Sequence, residues 1–147
     1  MHANDRNLND DVVKAIAKKG GVIGLNGFPS FVSKSRRPSL DDYMDHIDHI
    51  ARMVGVEHVG LGLDYFEYQA DYSSRLKATI AYYYLLLTGA WNASNYASPP
   101  WYYPEGIETP KKLGNLTEGL LRRGFSPKDI ALIFGGNIMR VYEEVWK

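Results

Sequence analysis

Asp64 is the residue of this sequence whose type and position best suit chemistry. It ends the run of residues 58–63, whose apolar residues and glycines are typical of a buried parallel strand. A carboxylate at the carboxyl end of such a strand lies where α/β barrels place their active sites, and it can transfer a proton. The alternative, that Asp64 only caps the following loop, remains open.

Arg6 is the second candidate, because it lies in a polar loop just before a capped helix. From that position its planar guanidinium can bind a carboxylate through two parallel hydrogen bonds. A solvated arginine, or one that braces the loop, fits the sequence equally well.

The histidines favour structural roles over a metal site. His46 and His49 are three residues apart on a predicted helix, with no glutamate base between them, whereas a zinc-binding pair on one helix is usually four apart. We therefore expect both to hydrogen-bond to neighbouring loops. His58 begins a strand at the end opposite the expected active site, so we predict a structural role for it too.

Composition limits the possible functions. The chain has 147 residues, enough for one domain but too few for a complete eight-stranded barrel of about 250. Its 17 basic and 17 acidic residues are interspersed, which argues against a nucleic-acid or anionic-membrane partner. The absence of cysteine excludes disulfides and thiolate metal sites. The longest apolar run is too short to span a bilayer and no signal peptide is visible, so we expect a cytoplasmic location.

Residues 1–64 read as two helix-strand units. Asn9 caps a helix whose last turn holds Lys18 and Lys19, Gly20-Gly21 ends it, and a strand follows at 22–26. Ser39 caps a second helix that reaches about Val54, and the strand that ends at Asp64 follows it. Two such units predict an α/β fold with about two parallel strands and flanking helices, joined by a right-handed crossover.

The remaining residues divide into an aromatic insertion at 65–110 and carboxyl-terminal helices at 111–147. The insertion contains a predicted helix at 75–87 and a long loop rich in Trp, Tyr, Asn and Pro, which we interpret as a lid or pocket wall. We predict one helix capped by Asn115 and another that runs from Ser126 towards Trp146.

Several segments, in order and at compatible spacings, resemble the C-terminal portion of the renal, or membrane, dipeptidase family. The similar segments are Asp5-Arg-Asn-Leu-Asn-Asp-Asp11, Gly20-Gly-Val-Ile-Gly-Leu-Asn26, Asp45-His-Ile-Asp-His-Ile50, His58-Val-Gly-Leu-Gly-Leu-Asp64, Pro104-Glu-Gly-Ile-Glu108, Asn115-Leu-Thr-Glu-Gly-Leu-Leu-Arg-Arg-Gly124 and Gly135-Gly-Asn-Ile-Met-Arg-Val141. The resemblance covers nearly the whole chain.

This resemblance implies the C-terminal part of a (β/α)8 TIM barrel that holds two zinc ions and hydrolyses dipeptides, L,L and some L,D. It implies that Asp64 is the catalytic acid and that Arg6 binds the carboxylate of the substrate. Phe31 lies where some members carry a tyrosine near the substrate, and its ring cannot donate that hydrogen bond. After Asp64 the family usually continues Phe-Asp-Gly, whereas this chain has Tyr65-Phe-Glu67, so substrate preference is expected to differ.

The metal ligands of the family come from earlier barrel strands and have no counterpart in this chain. We therefore expect no metal ligands here, an isolated chain without activity, and association with a missing N-terminal barrel half or with itself. One alternative is a non-catalytic binding or assembly module that uses the aromatic segment 82–103. Another is a complete enzyme that takes ligands from Asp64, Glu67, His2 or a symmetry partner.

Overall fold

The structure is a computed structural model that describes residues 2–65 and 75–146. Helix α1 spans Asp10–Lys18, and the side chain of Asn9 caps it by accepting a hydrogen bond of 3.0 Å from the Val12 N–H. The chain leaves the helix through Gly20, whose φ of 76° favours glycine. Strand β1 follows at Ile23–Leu25.

Helix α3 has more buried side chains than any other helix of the described residues. After the short helix α2 at Pro29–Val32, α3 spans Leu40–Val54 and begins with a capping box in which Ser39 and Asp42 bond each other's backbone N–H. The buried side chains of α3 are Tyr43, Met44, His46, Ile47 and Ile50. Their spacing places them on one face of the helix, as the apolar periodicity predicts.

Strand β2 spans Val59–Leu61, after a 3-10 turn at Val56–His58, and pairs with β1 in parallel. Gly24 faces Gly60 in the register, and the backbone approach is so close that a Cβ on Gly62 would lie 3.1 Å from the Gly24 carbonyl carbon. The predicted α/β fold with two parallel strands and flanking helices is confirmed. Both strands are shorter than predicted, and β2 ends three residues before Asp64.

Helix α4 spans Arg75–Leu87, as predicted, and the segment that precedes it, with Glu67, lies outside the described residues. Helix α5 spans Gly114–Arg122 and continues directly from a 3-10 turn at Pro110–Lys112. The predicted cap at Asn115 is therefore wrong. Because the backbone before α5 is already helical, Asn115 lies inside the first turn, and its side-chain N–H donates to the Gly106 carbonyl at 2.7 Å.

The last predicted helix is divided into two. Helix α6 spans Pro127–Ala131 with a capping box at Ser126, a π-helical turn covers Leu132–Gly136, and α7 spans Asn137–Val145. Gly135 departs from helical backbone angles, with φ 161° and ψ −24°. The fully buried Asn137 donates to the carbonyls of Val56 and Val59, each at 2.8 Å, and so fastens α7 to β2.

The core lies between the two strands and helices α1, α3, α5 and α6. Its fully buried members include Val13, Tyr43, Ile47, Val59, Leu116, Leu120 and Ile133. The Tyr43 hydroxyl donates to the Leu25 carbonyl at 2.9 Å, and burial raises the pKa of Tyr43 far above its usual value. Among the helices of the described ranges, none is long and apolar enough to cross a membrane.

Candidate functional site

Asp64 lies just beyond the carboxyl end of β2. The ladder continues one residue past the strand, because the Gly62 N–H donates to the Leu25 carbonyl at 3.0 Å, and Leu63 is buried. Asp64 then turns away with a φ of 61°, in the left-handed region that aspartate tolerates better than most residues. Its side chain is exposed, on the side of the sheet where both parallel strands finish.

Two tyrosines of the aromatic insertion hold the backbone around Asp64. The Tyr103 hydroxyl donates to the Asp64 carbonyl at 2.6 Å, and the Tyr65 hydroxyl donates to the Ile107 carbonyl. Tyr103 also packs against the loop that follows β1, because a Cβ on Gly27 would lie 3.1 Å from its ring atom Cδ1. The turn at Asp64 is thus tied to the loop that follows β1.

Both tyrosines are neutral donors at physiological pH. Burial raises the pKa of Tyr103, and the negative charge of Asp64 raises it further. Burial and the charge of Glu108 raise the pKa of Tyr65 to about 12. Since each hydroxyl keeps its proton, both hydrogen bonds to backbone carbonyls persist across the pH range in which most enzymes work.

Arg6 lies in the loop before α1, beside the carboxyl end of β1. Its own N–H donates to the Asn4 side chain at 2.9 Å. Asn7 anchors the loop by donating to the carbonyls of His2 at 2.9 Å and Phe31 at 2.8 Å. Arg6 itself is exposed. Hydrogen bonds from Asn4 and Asn7 fix the loop on both sides of it.

A cleft of about 230 Å³ opens beside β1, and Arg6, Asn26, Phe31 and His46 are among its lining residues. Ligand pockets are usually larger, about 300–1,000 Å³. All three residues of β1 line this cleft, and the sheet partner of β1 among the described residues is β2. The volume of the cleft is thus below the usual range for a complete ligand pocket.

Phe31 is buried and belongs to a group of rings that we call the aromatic cluster, formed by Phe28, Phe31, Tyr82, Trp91, Tyr96 and Trp101. Trp91 and Tyr96 stack with centroids 4.2 Å apart and planes 5° from parallel. Phe28 lies 5.1 Å from Phe31 and 5.7 Å from Trp91. The aromatic insertion thus folds back onto α2 and the loop after β1.

The structure brings some of the predicted site residues together and separates others. Arg6 and Phe31 are in contact, with the guanidinium carbon 5.9 Å from the ring centre. Asp64 lies at the end of the neighbouring strand, and no hydrogen bond among the described residues joins it to Arg6. Sequence reasoning missed Tyr96 and Tyr103, because tyrosines in a loop rich in tyrosine carry no positional signal.

The histidines make the hydrogen bonds expected of structural residues. His46 is buried and its Nε2 lies 2.8 Å from the Val32 carbonyl, so Nε2 carries the proton. His49 Nε2 lies 2.9 Å from the Asp10 carboxylate, and His58 Nδ1 lies 2.8 Å from a backbone carbonyl. Each imidazole ties its helix or turn to a different element.

A zinc centre does not fit the described residues. Within residues 2–65 and 75–146 no group of three or more His, Cys, Asp or Glu side chains lies close enough together to hold a metal ion. His2 is half-buried and lines a second cleft, of about 400 Å³, together with residues 3–5. Glu67 lies outside the described residues. This part of the chain offers a carboxylate and an arginine at the strand ends, without a ligand set.

Comparison with known proteins gives a consistent family. The family model described as Membrane dipeptidase (Peptidase family M19) matches residues 1–86 and 93–147. The dipeptidase aclJ of Aspergillus oryzae is 26% identical over 144 residues, which are 97% of this chain and 26% of that protein.

Two solved structures resemble the fold. An amidohydrolase from Pseudomonas aeruginosa superposes with a TM-score of 0.71 and 28% identity, over 96% of this chain and 41% of that one. A metallopeptidase from Rhodobacter sphaeroides, liganded with a phosphinate mimic of L-Ala-D-Ala, has a TM-score of 0.66 and 21% identity, over 96% of this chain and 32% of that one. The chain thus spans less than half the length of each protein compared here.

Proposed function

The chain belongs to the membrane dipeptidase family, and from that premise we propose that it is the C-terminal part of a zinc-dependent dipeptidase barrel. In this proposal it contributes proton transfer and carboxylate binding to dipeptide hydrolysis, and other strands supply the metal ligands. The observation that carries the proposal is that Asp64 follows β2, while Arg6 contacts Phe31 in the segment that follows the paired parallel strand β1.

Asp64 acts in this proposal as the group that holds and moves a proton. Its carboxylate is exposed while its backbone is fixed by the hydrogen bond from Tyr103. A carboxylate so placed can accept a proton from the attacking water and deliver it to the departing amine of the dipeptide. The fixed turn keeps the side chain in one place relative to the strand ends.

Arg6 binds the carboxylate of the substrate. Its guanidinium lines the cleft beside β1, and a carboxylate accepts two parallel hydrogen bonds from such a group. Phe31 contributes an apolar wall and no hydrogen bond. The proposed substrates are L,L-dipeptides and some L,D-dipeptides, and the phosphinate mimic of L-Ala-D-Ala bound in the Rhodobacter sphaeroides enzyme supports the L,D part.

The cleft beside β1 has the size of a partial pocket, and the free side of β1 is where a neighbouring barrel strand pairs. The described residues do not form a zinc site. We therefore expect the purified chain to bind no stoichiometric zinc and to hydrolyse no dipeptide until a polypeptide with the remaining strands and histidine ligands is added.

The decisive experiment measures zinc content and hydrolysis of L,L- and L,D-dipeptides by the chain alone and by the chain combined with that polypeptide. In the combined protein we expect Asp64→Asn to lower kcat by about 100-fold or more, because removal of a positioned acid or base typically costs 10²–10⁴-fold. The matched control is Glu143→Gln, an exposed carboxylate on α7, which should leave kcat unchanged.

Two results would contradict the proposal. Turnover and near-stoichiometric zinc in the chain alone would show that it builds a complete site. Full activity of Asp64→Asn in the combined protein would remove Asp64 from the chemistry.

A binding or assembly module is the second candidate, and one observation favours it. Helix α4 exposes Leu76, Ile80, Tyr83, Tyr84 and Leu87, each more than half accessible. Exposed apolar patches of this kind mark interaction surfaces. A folded, metal-free chain that binds a protein or glycan, and remains inactive when combined with the other strands, would favour this module over the dipeptidase.

A further inference from the structure

Arg6 lies in a corner formed by two aromatic rings from different parts of the chain. Its guanidinium carbon is 5.9 Å from the centre of the Phe31 ring and 6.0 Å from the centre of the Tyr96 ring. The two rings meet edge to face, 5.4 Å apart with planes at 72°. Guanidinium groups at such distances are attracted by the electron-rich faces of the rings.

The Tyr96 side of this corner is firmly held. The Tyr96 ring stacks on Trp91 at 4.2 Å. Its two sequence neighbours are also tied down: the Asn95 carbonyl accepts from Asn4 at 3.2 Å, and the Ala97 N–H donates to the Ser30 hydroxyl at 3.0 Å. The aromatic insertion is therefore fixed both to the loop that carries Arg6 and to α2.

We propose that Tyr96 is a positioning residue for Arg6, through which the aromatic insertion sets how the chain holds the carboxylate of a dipeptide. This inference rests on the proposed carboxylate-binding role of Arg6. An exposed arginine samples many rotamers, and ordering it at the moment of binding weakens affinity. Rings beside the guanidinium restrict those rotamers and leave N–H groups free for a carboxylate.

The contact depends on the ring of Tyr96 and not on its hydroxyl, which donates to no described residue. Tyr96→Phe should therefore keep Arg6 in place, whereas Tyr96→Leu should release it. Because Tyr96→Leu also removes the stack on Trp91, the KM for the dipeptide amide shows whether that loss damages the site in general.

The first test uses the dipeptidase assembled from this chain and the strands that complete it. Tyr96→Leu should raise KM for a dipeptide with a free carboxylate about two- to fivefold, the worth of an exposed cation–π contact, with kcat unchanged. The KM for the corresponding dipeptide amide should not change, since it lacks the carboxylate. Tyr96→Phe should keep the parent KM for both compounds.

The second test needs no activity. In NMR spectra of the chain, the Arg6 Nε–H resonance should be displaced by the ring currents of Phe31 and Tyr96, and Tyr96→Leu should return it towards the position of a free arginine. Tyr102→Leu is the matched control, because Arg37 lies 4.1 Å over the Tyr102 ring in a separate pair. It should move the Arg37 resonance and leave that of Arg6 in place.

The two tests separate failure of this inference from failure of the proposed function. An Arg6 resonance that does not respond to Tyr96→Leu overturns the positioning role, whatever the activity. An equal rise of KM for the dipeptide and its amide also overturns it, since it indicates general damage. A resonance that responds as expected, in a completed protein that hydrolyses no dipeptide, supports the contact and overturns the dipeptidase proposal.

Discussion

Helices α3 and α4 have similar lengths, 15 and 13 residues, but they bury their apolar side chains very differently. On α3 the large apolar residues face the core, and Ile47 and Ile50 are no more than 1% exposed. On α4 only Ala78 and Tyr82 are buried, while Leu87 is 87% exposed. Helix α3 is thus amphipathic in the usual sense, and α4 is apolar on two faces.

The outer face of α4 is a continuous stripe. At 100° per residue, Leu76, Ile80, Tyr83, Tyr84 and Leu87 fall within about a third of the helix circumference, opposite Ala78 and Tyr82. A helix that is apolar all round is normally covered on both sides. The apolar face of α3 is therefore covered by the core in this structure. The apolar residues on both faces of α4 would require a second apolar layer on its outer side.

The largest expected difference between the helices is in stability. Ile47→Ala on α3 should lower the free energy of unfolding by about 2–5 kcal/mol, because it opens a cavity in a packed core. Ile80→Ala on α4 is the matched control, and with Ile80 63% exposed it should change stability by no more than about 0.5 kcal/mol. Urea unfolding followed by circular dichroism measures both. Equal losses would show that α4 is covered in solution, for example by a second copy.

The charged outer face of α3 gives the next largest effect. Arg123, at the end of α5, donates to the carboxylates of Asp41, Asp45 and Asp48 at 2.8, 2.7 and 2.6 Å, and its side chain is only 20% exposed. Burial opposes the charge of Arg123, but the three carboxylates outweigh it and raise the pKa of the guanidinium. The carboxylates on the outer face of α3 are thus partly compensated by an arginine from the end of α5, whereas the stripe on α4 consists of uncharged residues.

Arg123→Met should lower the free energy of unfolding by about 1–3 kcal/mol, because it leaves three neighbouring carboxylates without their counter-charge. Arg122→Met is the control. Arg122 is 68% exposed and its only ion-pair partner among the described residues is Glu118, at 4.0 Å, so its loss should cost about 0.5 kcal/mol or less. If the two variants are equally stable, the triple contact contributes nothing and α3 and α5 are held by apolar packing alone.

The sequence predicts α3 and its neighbours well because their signals are local. Asn9 and Ser39 mark the starts of α1 and α3, and the apolar period marks their buried faces. Asn115 misled the same reasoning, since its side chain donates to the Gly106 carbonyl, nine residues away, and does not accept from a helix N–H as a cap would. Nothing in the local sequence of α4 predicts that one of its faces is exposed, because the same apolar residues are equally typical of a buried helix.

The candidate site also contains residues that the sequence predicts and contacts that only the fold shows. The strand pattern and the family resemblance together point to Asp64 and Arg6. The contact from Tyr103 to Asp64 spans 39 residues, and Tyr96 reaches Arg6 from an even greater separation. Contacts of this range leave no periodicity in the sequence, so only the folded chain reveals which of its eleven tyrosines lie beside the candidate residues.

The smallest effect we predict concerns pH and again lies on α3. Burial lowers the pKa of His46 below its usual 6.5, although the hydrogen bond to Val32 opposes this. The unfolded chain therefore binds a proton at a pH where the folded chain does not, so His46 should make the folded state less stable as pH falls below about 6.5. One such proton contributes at most about 1.4 kcal/mol per pH unit.

Urea unfolding at pH 7.5 and pH 5.5 measures this contribution when the parent chain is compared with His46→Gln, whose amide can still donate to the Val32 carbonyl. The variant should lose less stability between the two pH values than the parent does. An identical loss in both proteins would assign the acid sensitivity to groups other than His46. Helix α4 carries no histidine. The loss of stability that His46 causes between the two pH values should therefore be the same in Ile80→Ala as in the parent chain.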